Sequence, residues 1–217
     1  MIPHSWNLDP QTAIELQKKL AAQIITSTPL DTARIKLVAG VDVSVKNGIS
    51  RAAVAVLSFP ELSLVEVVTA QTPTPFPYIP GLLSFREGEV ILDAHQKLQH
   101  QPDMYIFDGM GIMHPRRLGI ASHMGLWLNR PTIGCGKTHF VGSYAEPAPE
   151  RGAYEPVKYH GEIVGVVLRT KNHVKPVYIS VGHLATLDTA RELVLQCTTK
   201  YRLPEPIRAA HHAAGDF

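Results

Sequence analysis

Three strand-like runs in close succession, KLVAGVDVSV (36–45), RAAVAVLSF (51–59) and LSLVEVVTA (62–70), constrain this chain more than any other feature in it. Each is rich in valine and other small or β-branched apolar residues, and the connections are short, with Asn47-Gly48 in the first and Pro60-Glu61 in the second. Asn-Gly marks a tight hairpin because both residues tolerate positive φ. Neither connection has room for a crossover helix, so the three runs predict an antiparallel meander.

Ahead of the meander, QTAIELQKKLAAQII (11–25) places Ile14, Leu16, Leu20, Ala21 and Ile24 at roughly helical spacing, with Asp9 and Pro10 as cap and first turn. After it come a Pro-rich loop, QTPTPFPYIPG (71–81), and a helix from about Ser84 to His100. The strand MYIF (104–107), a helix around Ile120–Leu128 and the strand PTIGCG (131–136) follow. Two β-rich runs, EIVGVVLR (162–169) and PVYISVG (176–182), precede the helix TLDTARELVLQCTT (186–199). Strand alternating with helix in the second half predicts parallel pairing there. A meander feeding into alternating elements predicts an α/β, ribonuclease H-like fold: a central mixed sheet with an antiparallel three-strand meander and flanking helices. Neither an internal repeat nor a low-complexity linker interrupts the chain, so residues 1–217 read as one domain.

A content of 45% hydrophobic and 18% charged residues over 217 positions suffices for a sizeable core. The formal charge is only +2, so a polyanion would have to be met by a local basic patch. Cys135 and Cys197, without CxxC spacing, read as buried small apolar residues in a reducing compartment. MIPHSWNLDP lacks the basic flank and apolar core of an export signal, and no run reaches the length of a membrane span. The expectation is a cytoplasmic, monomeric protein that does not engage membranes.

Within the first strand, Val41, Val43 and Val45 share one face, which puts Asp42 and Ser44 on the other. That face is either solvated or a site. Asp108 follows the apolar run MYIF directly, at a strand's carboxyl end where ligands collect in α/β sheets, although an Asx-turn before Gly109 has the same local sequence. Glu87, in LLSFREGEV, fits a first-turn glutamate equally well. Three carboxylates brought together would repel one another and any phosphodiester, and a divalent cation with oxygen ligands removes both objections.

The runs VAGVDVSV, PYIPGLLSFRE, DGMGIMHPRRLGIASHMG, TIGCGKTHF and ISVGH, in this order and spacing, resemble the motifs of the endonuclease V family. The resemblance implies a Mg²⁺-dependent endonuclease, with Mn²⁺ as a substitute cation, that acts on DNA containing deoxyinosine, single- or double-stranded. It implies a cut at the second phosphodiester 3′ to the lesion, with 3′-hydroxyl and 5′-phosphate ends, in repair of deaminated bases. Asp42, Glu87 and Asp108 would then be catalytic and metal-binding, with Lys137 and His211 as further catalytic residues. His212, adjacent, competes for the histidine's role.

Pro77, Tyr78, Ile79 and Pro80 would form a strand-separating wedge, in which a flat ring held out by prolines replaces a base in the stack. Leu83, Gly109, Gly119, Ile120 and Gly134 would line the pocket for the flipped base, and His114, Arg116 and Arg117 would bind phosphates. Met110 stands where the family commonly has a polar residue, and methionine donates no hydrogen bond. Two other readings stay open: a module that binds inosine-containing nucleic acid without cutting it, and a nuclease for inosine in RNA.

Overall fold

A computed structural model describes residues 4–215. The limits of the predicted domain, residues 1–3 and 216–217, lie outside the described residues, as does the start of the stretch read for an export signal. Thirteen elements place the site: α1 (Pro10–Ala21), β1 (Leu37–Lys46), β2 (Ile49–Ser58), β3 (Leu64–Pro73), α2 (Leu83–His95), β4 (Met104–Phe107), α3 (Ile120–Leu128), β5 (Thr132–Gly136), β6 (Tyr154–Tyr159), β7 (Glu162–Leu168), β8 (Val177–His183), α4 (Leu187–Gln196) and α5 (Glu205–Gly215). All eight strands join one sheet in the order β3-β2-β1-β4-β5-β8-β7-β6.

The meander forms as the sequence predicts, β1 pairing antiparallel with β2 and β2 with β3, with Asn47 and Gly48 both at positive φ in the first turn. Strand alternation then divides the core. Val38, Ala53, Ala55, Met104 and Ile106 face one way, into a cluster shared with Leu193, Ile207 and Ala210 of α4 and α5. Ala39, Val41, Val54, Tyr105 and Phe107 face the other way, toward Phe85, Ile91, Ile120 and Met124 of α2 and α3. A central strand covered on both faces must be apolar on both, which is why LVAG reads as a continuous run.

The predicted parallel second half holds only at the centre. β1, β4 and β5 are parallel, but β8, β7 and β6 pair antiparallel. The reason is connection chemistry: β6 and β7 are joined by the turn at His160 and Gly161, both at positive φ, and α4 follows β8 instead of separating two strands. Two elements went unread. β6 contains Pro156, which argues against a strand except at a sheet edge, and β6 is an edge. The segment that forms α5 looks like a Pro- and Ala-rich tail, yet Ile207, Ala210 and Ala214 make a buried stripe.

Three helices end earlier than the spacing predicts, α4 at Gln196 where the amide of Cys197 caps it by donating to Leu193 O (2.9 Å). α1 stops at Ala21, and the backbone of Ile25 is bound instead at the end of β8, donating to His183 Nδ1 (3.2 Å) and accepting from Leu184 (2.8 Å). α2 stops at His95, and the amides of Gln99 and His100 donate to the Glu66 carboxylate of β3 at 3.0 and 2.9 Å. Among the described residues, no helix is long and apolar enough to cross a membrane.

Candidate active site

Register builds the acidic centre. β1 and β4 run parallel with Val41 beside Phe107, and the Asp108 amide continues the ladder by donating to Val41 O (3.0 Å). Asp42 and Asp108 therefore emerge side by side, each the residue after a matched pair. On the same face as Asp42, two residues earlier, Gly40 lets α5 come unusually close. A Cβ there would collide with the backbone of Pro206, so only glycine admits the helix at this depth. That approach carries His211 to the carboxylate, with Nδ1 donating to Asp42 Oδ2 at 2.6 Å.

Donor atoms of Asp42, Asp108 and His211 all lie within 4.8 Å of one another. Lys137, just beyond β5, forms an ion pair with Asp108 Oδ2. Burial raises the Asp108 carboxyl above the ordinary carboxylate range, Asp42 pushes the same way, and Lys137 opposes both. Glu87 stands outside the three-residue group but within its field. Burial and then Asp42 push its carboxyl up to about 8. A partly buried set of two carboxylates with a third close by is short of positive charge, and its oxygen donors suit a hard divalent cation. His212, by contrast, is exposed.

Beside this centre opens a cavity of about 360 Å³. Asp108 and Lys137 line it, together with Tyr78, Ile79 and Pro80 of the Pro-rich loop and with Leu83, Gly109, Gly119 and Ile120. Gly134 does not line it. The space where its side chain would stand is filled by the backbone of Gly109, Met110 and Gly111, so this glycine serves loop packing behind the cavity wall. Met110 lines the cavity and packs toward Met113 and Val141, in a small core of its own. Tyr78, at the cavity's rim, is 70% exposed.

The residues read as phosphate contacts are engaged within the protein. His114 is only 3% exposed; its Nε2 donates to Gly81 O (3.0 Å), and its Nδ1 accepts from the Arg116 amide (3.1 Å). Burial, assisted by Arg116, pushes its pKa down to about 4, so the ring is neutral. Arg116 donates to Gly81 O (2.9 Å) and to Gln17 Oε1. Arg117 pairs with Glu162 (2.7 Å) and Tyr159 O (3.1 Å) on the β6–β7 hairpin. Gln17 is a residue that sequence reasoning missed. The expected apolar stripe of α1 skips it, but the buried face runs through Ala13, Gln17 and Leu20. A polar residue i+4 from one buried position and i−3 from another was the available signal.

The family model for endonuclease V matches residues 18–212. Endonuclease V of Trichormus variabilis is 52% identical over 216 residues, which span 99% of this chain and 97% of the relative. The crystal structure of endonuclease V from Streptomyces avermitilis shares 39% identity and a TM-score of 0.93, covering 99% of this chain and 95% of that one. Endonuclease V of Ciona intestinalis, solved with a 24mer DNA containing an inosine followed by a ribo-adenosine, has 29% identity and a TM-score of 0.82, covering 95% of this chain and 97% of that one.

Proposed function

The chain belongs to the endonuclease V family, and on that premise we propose that it recognises hypoxanthine in DNA and hydrolyses the second phosphodiester on its 3′ side. The observation that carries the proposal is the meeting of a mid-strand and a strand-end carboxylate, a lysine and a cavity of about 360 Å³ under an exposed tyrosine. Relatives provide the substrate class: the Ciona enzyme was solved on inosine-containing DNA.

Each residue then has a physical task. Tyr78 fills the gap left in the stack, and the prolines on either side of Tyr78-Ile79 limit the entropy lost on insertion. Unstacking costs a few kcal/mol, less for a weak inosine pair. The extruded base enters the cavity, where Leu83 and Ile120 give apolar contact and Gly109 and Gly119 leave backbone amides and carbonyls close to the base edge.

Asp42 and Asp108 would hold Mg²⁺, with Mn²⁺ as a substitute, and Glu87 is the adjacent acid. When bound, such a cation acidifies water and offsets charge on the phosphate. His211 orients Asp42 through its 2.6 Å bond, and Lys137 exchanges its hold on Asp108 for the phosphate as negative charge builds there. The water oxygen bonds to phosphorus as the bond from phosphorus to the 3′ oxygen breaks, and the proton that the water gives up ends on that 3′ oxygen, giving 3′-hydroxyl and 5′-phosphate ends.

The test uses end-labelled duplexes that differ only in deoxyinosine or deoxyadenosine at one position, with Mg²⁺ or with EDTA. A nick one nucleotide past the lesion's own 3′ phosphodiester, seen only with deoxyinosine and Mg²⁺, supports the reading. Inosine-selective binding without a nick supports a binding module instead. A second substrate, inosine in RNA, is favoured by the ribo-adenosine in the Ciona complex, and a matched RNA strand in the same assay separates the two.

A further inference from the structure

Three side chains from distant parts of the sequence converge on one backbone atom. The Gly81 carbonyl, directly after the Pro77–Pro80 loop, accepts hydrogen bonds from Gln17 Nε2 (2.8 Å), His114 Nε2 (3.0 Å) and Arg116 Nη2 (2.9 Å). A carbonyl has two lone pairs, and one donor would satisfy it. Three donors describe an anchor.

Each donor is itself fixed. Gln17 Nε2 also donates to Leu118 O (3.2 Å), while its Oε1 accepts from Arg116 Nε, so the amide has one orientation. His114 Nδ1 accepts the Arg116 amide, which leaves Nε2 as the nitrogen that carries the proton. Gly81 sits at φ +84°, and a Cβ there would lie 2.7 Å from Arg116 Nη2, so the anchor closes on a position only glycine fills. At the loop's other end, Arg86 Nη1 donates to Phe76 O (3.3 Å). Between these two clamps, Tyr78 is exposed.

We propose that Gln17, His114 and Arg116 are positioning residues that hold the Pro77–Pro80 loop in advance, so that Tyr78 enters a duplex without the loop having to be ordered first. The proposal rests on the reading of Tyr78 as a strand-separating wedge. Ordering a mobile loop at the moment of insertion would subtract from the insertion free energy, and an anchored loop avoids that loss. An effect through the wedge belongs to duplex opening, whereas an effect through the cavity, which Gln17 and His114 also line, would reach both substrates. A substrate already open at the lesion has no need of the wedge.

The experiment compares cleavage of two duplexes of one sequence, both with a single deoxyinosine, one fully paired and one with the surrounding pairs pre-opened as a bubble. Gln17→Met and His114→Phe keep side-chain volume and remove the donors. Their rates should fall roughly 10- to 100-fold on the paired duplex with little change on the bubble, and Tyr78→Ala should show the same pattern. His114→Gln, which restores an N–H donor, should recover most of the paired-duplex rate. The bubble rate reports how much of each variant is folded. Equal losses on both substrates, or no loss on either, overturn the proposal. If Tyr78→Ala alone loses paired-duplex cleavage, the anchor fails while the wedge stands. If Tyr78→Ala leaves the ratio unchanged, the wedge reading fails and takes the anchor with it.

Discussion

The two sides of the cavity are held in place by different means. On one side, Asp42 and Asp108 are set by the backbone ladder of parallel strands, and a single register places them together. On the other, the Pro77–Pro80 loop has no ladder and is held through Gly81 by side chains from α1 and the loop after β4. Backbone-fixed geometry tolerates most side-chain changes nearby, whereas a side-chain anchor depends on each donor. α2 joins the two, because it begins just after the anchored carbonyl and carries Glu87 one turn later.

Glu87→Gln gives the largest effect that probes this junction. Cleavage should fall to the EDTA background, while thermal stability rises above about pH 8. The sign follows from a folded-state pKa raised to about 8: the carboxyl's contribution is intact below the unfolded value of 4.5 and is lost as pH rises toward 8, and the amide removes that loss. Melting curves at pH 6 and pH 9 check it, and a lower melting point for the variant at pH 9 would contradict it.

His211→Ala should slow cleavage about 10- to 100-fold, the usual cost of removing a residue that orients a metal ligand, with His212→Ala near wild type. Equal effects of the two would mean that α5 contributes charge and not a specific bond.

Acid should loosen the side-chain-held region. His114 of the anchor and the buried His123 of α3, whose Nδ1 bonds the Ser84 hydroxyl of α2 (2.8 Å), have folded pKa values pushed down to about 4 and about 3, chiefly by burial, from 6.5. Below pH 6.5 the unfolded chain takes up protons that the folded one refuses. Stability is therefore complete above 6.5 and falls toward pH 4, by about 1.4 kcal/mol per pH unit for each histidine. Thermal melts in the Glu87→Gln background, which removes one of the two raised carboxyls that oppose it and leaves Asp108, should show the fall, and a flat profile from pH 6.5 to 4.5 would count against it. Gly40→Ala forces α5 back from β1 and should cost about 1–3 kcal/mol from overpacking against Pro206, measured by denaturant unfolding.

Legibility in the sequence follows the same division. The meander, β4, β5 and the adjacent acids could be read because period-two alternation and strand ends are local signals. His211 could be named only through the family resemblance, since its helix resembles a tail and its partner is 169 residues away. The spacing of α1 marks Gln17 as buried but not what it bonds, and His114 and Arg116 read as phosphate contacts, because a donor's target is not local to the donor. Arginine beside histidine near glycines fits a phosphate site and a carbonyl anchor alike. Only the positions of Gly81 and Gln17 in space decide which.

The most direct test of the strand-fixed centre measures cleavage and binding on the same preparations of Asp42→Ala and Asp108→Ala, using a duplex with one deoxyinosine. The account predicts that cleavage is abolished in both while inosine-selective affinity is retained, because the loop and, apart from Asp108, the cavity lining are built from other residues. Full cleavage by either variant would contradict it.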